Sequence, residues 1–150
     1  MPIPSVARSG LLAVALTLAA AAAQAQMTPV GNWQTIDDKT GEVKSQVAIT
    51  EANGVLTGRI EKLLRKGADL TRLCTECSDD RKDKLILGME IIRGAKKVDS
   101  KDVWEGGKIL DPDNGKNYTL RLTPIEDGKK LEVRGSVLFI SRTQTWVRVP

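Results

Sequence analysis

The chain has 150 residues, with 23 Lys and Arg against 19 Asp and Glu, no His, two Cys and five aromatic residues. That is room for one domain. The missing His removes Ser-His and Cys-His nucleophile pairs, an imidazole proton shuttle and any zinc site built on imidazole, so an enzyme would have to work with carboxylates, Lys, Tyr or Cys.

At the N-terminus, Arg8 precedes the apolar run 11–18, and an Ala-rich stretch then exits through Ala23-Gln24-Ala25. A basic start, an apolar centre of about a dozen residues and a small-x-small exit are the three parts of a secretory signal peptide. The run is shorter than the about 20 apolar residues of a spanning helix. Residues 1–25 are therefore expected to be a cleaved signal peptide and residues 26–150 a single domain. Loss of Arg8 lowers the net charge from +4 to +3. No later apolar stretch reaches membrane length, so the mature chain is expected to carry no integral membrane segment and to reside in the periplasm. Basic pairs such as Lys96-Lys97 and Lys129-Lys130 lack interleaved aromatic residues, and nucleic acid is not expected as a partner.

From residue 26 onward apolar and polar residues alternate with a period of two, punctuated by Gly, Asn, Asp and Pro, which is the pattern of an all-β chain. The first strand is read over residues 31–37, ending in a turn at 38–41. The second covers 43–50, with Val43, Val47 and Ile49 on one face, and Asn53-Gly54 is a two-residue hairpin signal. The third, 55–64, sets Leu56, Ile60 and Leu64 on one face. Residues 65–84 are highly charged, hold both cysteines and read as a long excursion over one barrel mouth. The fourth strand is expected over 85–93, with Leu87, Met89 and Ile91 on one face, before a polar loop at 94–102. The fifth covers 103–110 and stops at Asp111–Gly115. The sixth shows Tyr118, Leu120 and Leu122 on one face, and residues 124–128 turn the chain into the seventh, with Leu131, Val133 and Val137. The last strand, 143–149, places Gln144, Trp146 and Arg148 opposite Thr145, Val147 and Val149.

Eight strands with mostly short connections pair with their sequential neighbours. The expected architecture is an eight-stranded antiparallel up-and-down barrel, since eight strands close well and closure removes exposed edges. An open two-sheet sandwich is the alternative.

Gly31-x-Trp33 on the first strand, with a basic residue on the last, resembles the short signature of lipocalin-type barrels. In a closed meander the start of the first strand lies beside the end of the last, so Arg148 is placed to stack on Trp33, with Arg142 the other candidate. Such a pair contributes about 0.5–2 kcal/mol. Gly31, Trp33, Arg142 and Arg148 are thus the candidate structural residues. A wider set occurs in order: Asp37-Asp38-x-Thr40-Gly41, Lys44-Ser45, Cys74-x-x-Cys77, Gly88-Met89, Trp104-x-Gly106-Gly107-x-Ile109-Leu110-Asp111-Pro112, Gly115-Lys116-x-Tyr118, Leu131-x-Val133-Arg134-Gly135 and Arg142-Thr143-Gln144-Thr145-Trp146. With Gly31-x-Trp33, this set resembles the exported bacterial family called domain of unknown function 2147, over nearly the whole mature chain. The resemblance implies a lipocalin-like fold in the periplasm and no established activity. Ser141 departs from it, since such sequences usually carry Gly there.

Cys74 and Cys77 have the spacing of a thiol-disulfide redox motif, but their flanks lack the usual strand-to-helix unit, and in an oxidising compartment a local structural disulfide is favoured. With no His and no second Cys pair, a structural zinc site is not expected. Asp111–Gly115 fails the calcium-loop pattern, which needs Glu where Leu122 stands, and reads as a turn. No metal or other cofactor is expected. The remaining site is the barrel interior, whose aliphatic lining suits a small apolar ligand. The residues expected to meet it are Trp33, Leu56, Met89, Trp104, Tyr118, Leu120 and Trp146. The alternatives are an envelope protein docked on the 65–84 loop and, further behind, thiol-redox chemistry at the cysteines.

Overall fold

The computed structural model describes Pro2 and residues 27–150, so that of the expected signal peptide only Pro2 is described. Eight strands follow in chain order: β1 (Gly31–Ile36), β2 (Val43–Ala52), β3 (Val55–Leu63), β4 (Glu90–Lys97), β5 (Trp104–Asp111), β6 (Lys116–Ile125), β7 (Lys130–Val137) and β8 (Ile140–Arg148). Each pairs antiparallel with the next, and β8 returns to β1, closing the barrel. The closed up-and-down barrel expected from the alternation is thus the observed fold.

Register shows which side chains share the interior. Trp33 lies opposite Val47, Leu56 opposite Ala95, Leu122 opposite Val133, and Leu131 opposite Trp146. All of these are buried. Each large apolar side chain so enclosed contributes about 1.5–3 kcal/mol relative to exposure. Outward positions between them, such as Arg59, Lys108 and Arg121, are exposed. This is the burial pattern of a sheet with one dry and one wet face.

The strand expected at 85–93 is displaced. It begins at Glu90 and runs through Lys97, because two extra residues break the period of two. Thr57 pairs with Arg93 and Leu56 with Ala95, leaving Gly94 as a bulge; Gly58 pairs with Ile92 and Arg59 with Glu90, leaving Ile91 as another. The inward residues of β4 are therefore Ile92 and Ala95, both without exposed surface. A bulge shifts the phase of everything beyond it. Pro124, read as part of a turn, sits inside β6 opposite Leu131. There β6 has run past Leu122, its last residue paired with β5 (opposite Trp104), and a residue without an N–H is tolerated. β8 starts at Ile140 rather than 143, following a two-residue turn at Leu138 and Phe139. Ser141 lies in ordinary strand backbone opposite Ser136, so the departure from Gly reshapes nothing locally.

The connection from β3 to β4 folds back on the barrel. It is stapled to itself by the Leu73–Leu85 bridge. Arg81, 6 % exposed, anchors it by donating to Asp79 within the loop, to the Glu90 carbonyl (2.9 Å) and to Asn117 Oδ1 (2.8 Å) on β6. Arg93 on β4 adds paired bonds of 2.9 Å to both oxygens of Asp80.

Candidate functional site

The two ends of the barrel differ. At the end where β1 starts and β8 finishes, Arg148 lies opposite Trp33 with its guanidinium 4.2 Å from the centre of the indole ring. The same guanidinium donates to the carbonyls of Gly128 (2.6 Å), Val30 (2.8 Å) and Thr28 (2.6 Å). It thereby joins the N-terminal segment, the β6–β7 turn and β8 across that end. Partial burial pulls its pKa down from the ordinary arginine value. The Trp33 indole N–H donates to Pro29 O (2.7 Å), so the ring is held from both sides. A Cβ at Gly31, whose φ is +136°, would strike the Arg148 guanidinium. The Gly-x-Trp spacing therefore leaves room for the plug. Arg148 and not Arg142 takes the stacking role.

Above this plug the interior is packed solid. Trp33, Leu56, Leu122 and Leu131 are 0 % exposed, so no gap the size of a water molecule adjoins them. Trp104, Leu120 and Trp146, also expected to meet a ligand, are buried but keep a small exposed surface (4 %, 1 % and 2 %). Met89 stands just before β4, its carbonyl accepting from the Ile60 N–H (2.9 Å).

At the opposite end, inward positions become partly exposed and more polar. Thr35 and Ser45 share a 2.8 Å hydroxyl bond. Ile109 lies opposite Tyr118, and both are only half-buried. The Tyr118 hydroxyl accepts from Asn114 Nδ2 (3.0 Å) on the β5–β6 turn. That turn leans over the mouth, since Asp113 reaches Lys44 on β2 (3.6 Å) and Arg72 on the long connection (2.9 Å). Although burial alone would raise it, the Asp113 carboxyl is held below its usual range by these two cations.

The seam between β1 and β8 is short. Only Trp33 with Arg148 and Gln34 with Val147 pair across it, whereas β7 and β8 pair from Lys130 to Ile140. Beyond that point side chains span the gap. The Trp146 indole N–H donates to Gln144 Oε1 (3.2 Å), Gln144 Nε2 donates to Asp38 Oδ2 (3.4 Å), and Arg142 Nε donates to the same oxygen (2.7 Å). This relay runs from core to rim and joins Arg142, Gln144 and Trp146 of β8 to Asp38, just past the end of β1. Arg65 pairs with the adjacent Asp37, whose pKa is lowered first by the backbone N–H groups of Lys39 and Thr40.

Cys74 and Cys77 are joined in a disulfide and are 0 % and 3 % exposed. The Cys74 sulfur lies 3.6 Å from Pro112 O, which places the disulfide under the β5–β6 turn. Exchange chemistry needs an accessible sulfur, and burial favours a structural role. Two depressions lie on the outer wall beside the connection, one of about 660 Å³ against β2 and β3 and one of about 420 Å³ against β3 and β4; Leu87 and Gly88 line both and Met89 the smaller. Among the described residues no group of three or more His, Cys, Asp or Glu side chains is placed to hold a metal ion.

The sequence profile of a family described as uncharacterised proteins conserved in bacteria (DUF2147) matches residues 31–148. No curated protein matches the chain. Among solved structures, protein HP1028 from Helicobacter pylori, described as belonging to the lipocalin family, is 22 % identical with a TM-score of 0.68, over 81 % of this chain and 82 % of that one. At this identity the likeness carries the fold alone.

Proposed function

The chain belongs to the DUF2147 family, and we propose that it is an exported periplasmic protein whose barrel takes up a small amphiphilic molecule through the end bearing Thr35, Tyr118, Arg142 and Gln144. The observation that carries this reading is the gradient of packing. One end is plugged by Trp33 and Arg148 and leaves no water-sized space around Leu56, Leu122 and Leu131, while at the other end Ser45, Ile109, Tyr118 and Gln144 are only half-buried. A ligand's apolar part enters toward Ile109 and Leu120, and its polar part meets Arg142, Gln144 and the Tyr118 hydroxyl. Small lipocalin-sized barrels hold one small ligand in this way. The signal-peptide pattern of residues 1–25 supports export, and the Cys74–Cys77 disulfide suits an oxidising compartment.

Titration with a dansyl-labelled fatty acid tests the site. Fluorescence enhancement is expected with the native chain and not with Gln144→Trp, which fills the mouth; a native chain that gives no enhancement with this probe and carries no co-purified small molecule in native mass spectrometry refutes the reading. Export is checked by sequencing the N-terminus of protein from the periplasmic fraction, which is expected to begin at Gln26.

A second reading, docking of an envelope protein on the 65–84 loop, is favoured by the exposed side chains of Leu70 and Leu73. In-cell crosslinking from Leu70 that recovers no protein would remove it.

A further inference from the structure

We infer that the β7–β8 hairpin tip is a membrane-docking element that inserts its apolar side chains into a bilayer surface rich in anionic headgroups. The tip is Val137-Leu138-Phe139-Ile140, where the alternation of β7 and β8 gives way to four successive apolar residues. Their exposures are 41 %, 92 %, 104 % and 73 %. The hairpin stands clear of its neighbours. Pairing of β7 with β6 stops at Ser136, and pairing of β8 with β1 involves only its last two residues, so Val137 and Ile140 pair only with each other. Leu138 has φ +53°, a left-handed position where Gly, Asn or Asp is usual. A bulky apolar residue there costs stability in the isolated chain, and strain of this kind collects at working surfaces.

The charge around the tip selects the partner. Residues 133–145 contain Arg134 and Arg142 and no Asp or Glu. Arg142 is partly neutralised by Asp38, but Arg134 donates to Ser141 Oγ (3.1 Å) and meets no carboxylate among the described residues. Apolar side chains flanked by arginines match the interface of an anionic bilayer. Size argues against a protein partner. A large ring buries about 150–250 Å², so three such side chains stay short of the about 800 Å² per partner of a standard protein interface. The tip also rises beside the open mouth, since β7 ends and β8 begins at that end of the barrel. Docking would bring the mouth to the membrane, although the inference stands on the tip alone.

Flotation of the chain from Gln26, which carries every strand of the barrel, tests this with vesicles of phosphatidylcholine and phosphatidylglycerol in equal parts. The native chain is expected to float with these vesicles and to be released by salt. Leu138→Ser with Phe139→Ser is expected to weaken association by at least about tenfold, and Arg134→Gln by severalfold with a reduced salt response. Both serines replace nearly fully exposed side chains, and an unchanged circular dichroism spectrum and melting temperature confirm that the fold is intact. The inference is overturned if the native chain does not float, if the double variant floats as well as the native chain, or if phosphatidylcholine alone serves equally. It is also overturned if sedimentation shows native self-association that the double variant loses while vesicles go unbound, which would assign the tip to a second copy.

Discussion

Arg148→Met removes the plug while keeping a side chain of similar length. The substitution deletes a cation–π contact at 4.2 Å and three donors that reach Gly128, Val30 and Thr28. The stacking contributes about 0.5–2 kcal/mol. Hydrogen bonds to a charged group contribute about 1.5–3 kcal/mol each, but carbonyls at a half-buried rim regain water, so the three together are worth little more than one. The expected loss is about 3 kcal/mol, which for a domain of this size lowers the melting temperature by about 10 °C. Arg148→Lys keeps the charge without the planar fork and is expected to recover about a third of the loss. Arg142→Met breaks an exposed pair with Asp38 and is expected to cost about 1 kcal/mol or less. Urea unfolding followed by far-ultraviolet circular dichroism separates these cases, because it does not depend on the indole whose environment changes. If Arg148→Met falls within about 1 kcal/mol of the native chain, or Arg142→Met costs as much, the plug does not hold the closed end as argued.

Gly115→Ala should be far worse than Gly54→Ala. Both have positive φ, +71° and +78°, but a Cβ at Gly115 would collide with the Glu76 backbone while Gly54 faces open space; unfolding free energies from urea titration are expected to fall by about 2–4 kcal/mol and about 1 kcal/mol respectively. Replacing Cys74 and Cys77 together by Ser reopens a four-residue loop worth about 2 kcal/mol of chain entropy, so amide exchange is expected to quicken across residues 72–86 with the barrel strands unchanged. The carboxyl of Asp79 is held well below its ordinary 3.8 by hydrogen bonding from Arg81, and that of Asp80 is held down by Arg93. A depressed folded-state pKa contributes stability that is complete above about pH 5 and is lost as pH falls through 3.8 and below. Exchange corrected for intrinsic rates is accordingly expected to show the 64–89 connection opening at pH 3 before the strands, and equal protection of both at that pH would contradict this.

Most of the barrel was legible because alternation and turn residues report directly on a sheet with one dry face. Trp33 and Arg148 could be brought together from topology alone, since closure places the start of β1 beside the end of β8. What failed was phase. Gly94 looks like the opening of a loop, yet it is one extra residue inside a strand, and with Ile91 it moved Ile92 and Ala95 to the interior. The seam relay was also hidden, because Asp38 and Gln144 are 106 residues apart and meet only where β1 and β8 part company. Arg81 resembles the other charges of its segment until its partners Glu90 and Asn117 arrive from different strands. The solid packing around Leu56 and Leu131 depended on how three tryptophans share one narrow cylinder, which no single stretch of chain encodes.

Chemical-shift mapping with dodecanoate tests the central claim of a barrel plugged at one end and receptive at the other. Shifts are expected at the amides of Thr35, Tyr118 and Gln144 and at the Trp146 indole, with the Trp33 indole unmoved. A map with no shifts, or with shifts confined to Arg59 and Leu87 on the outer wall or to Trp33 at the plug, would contradict it.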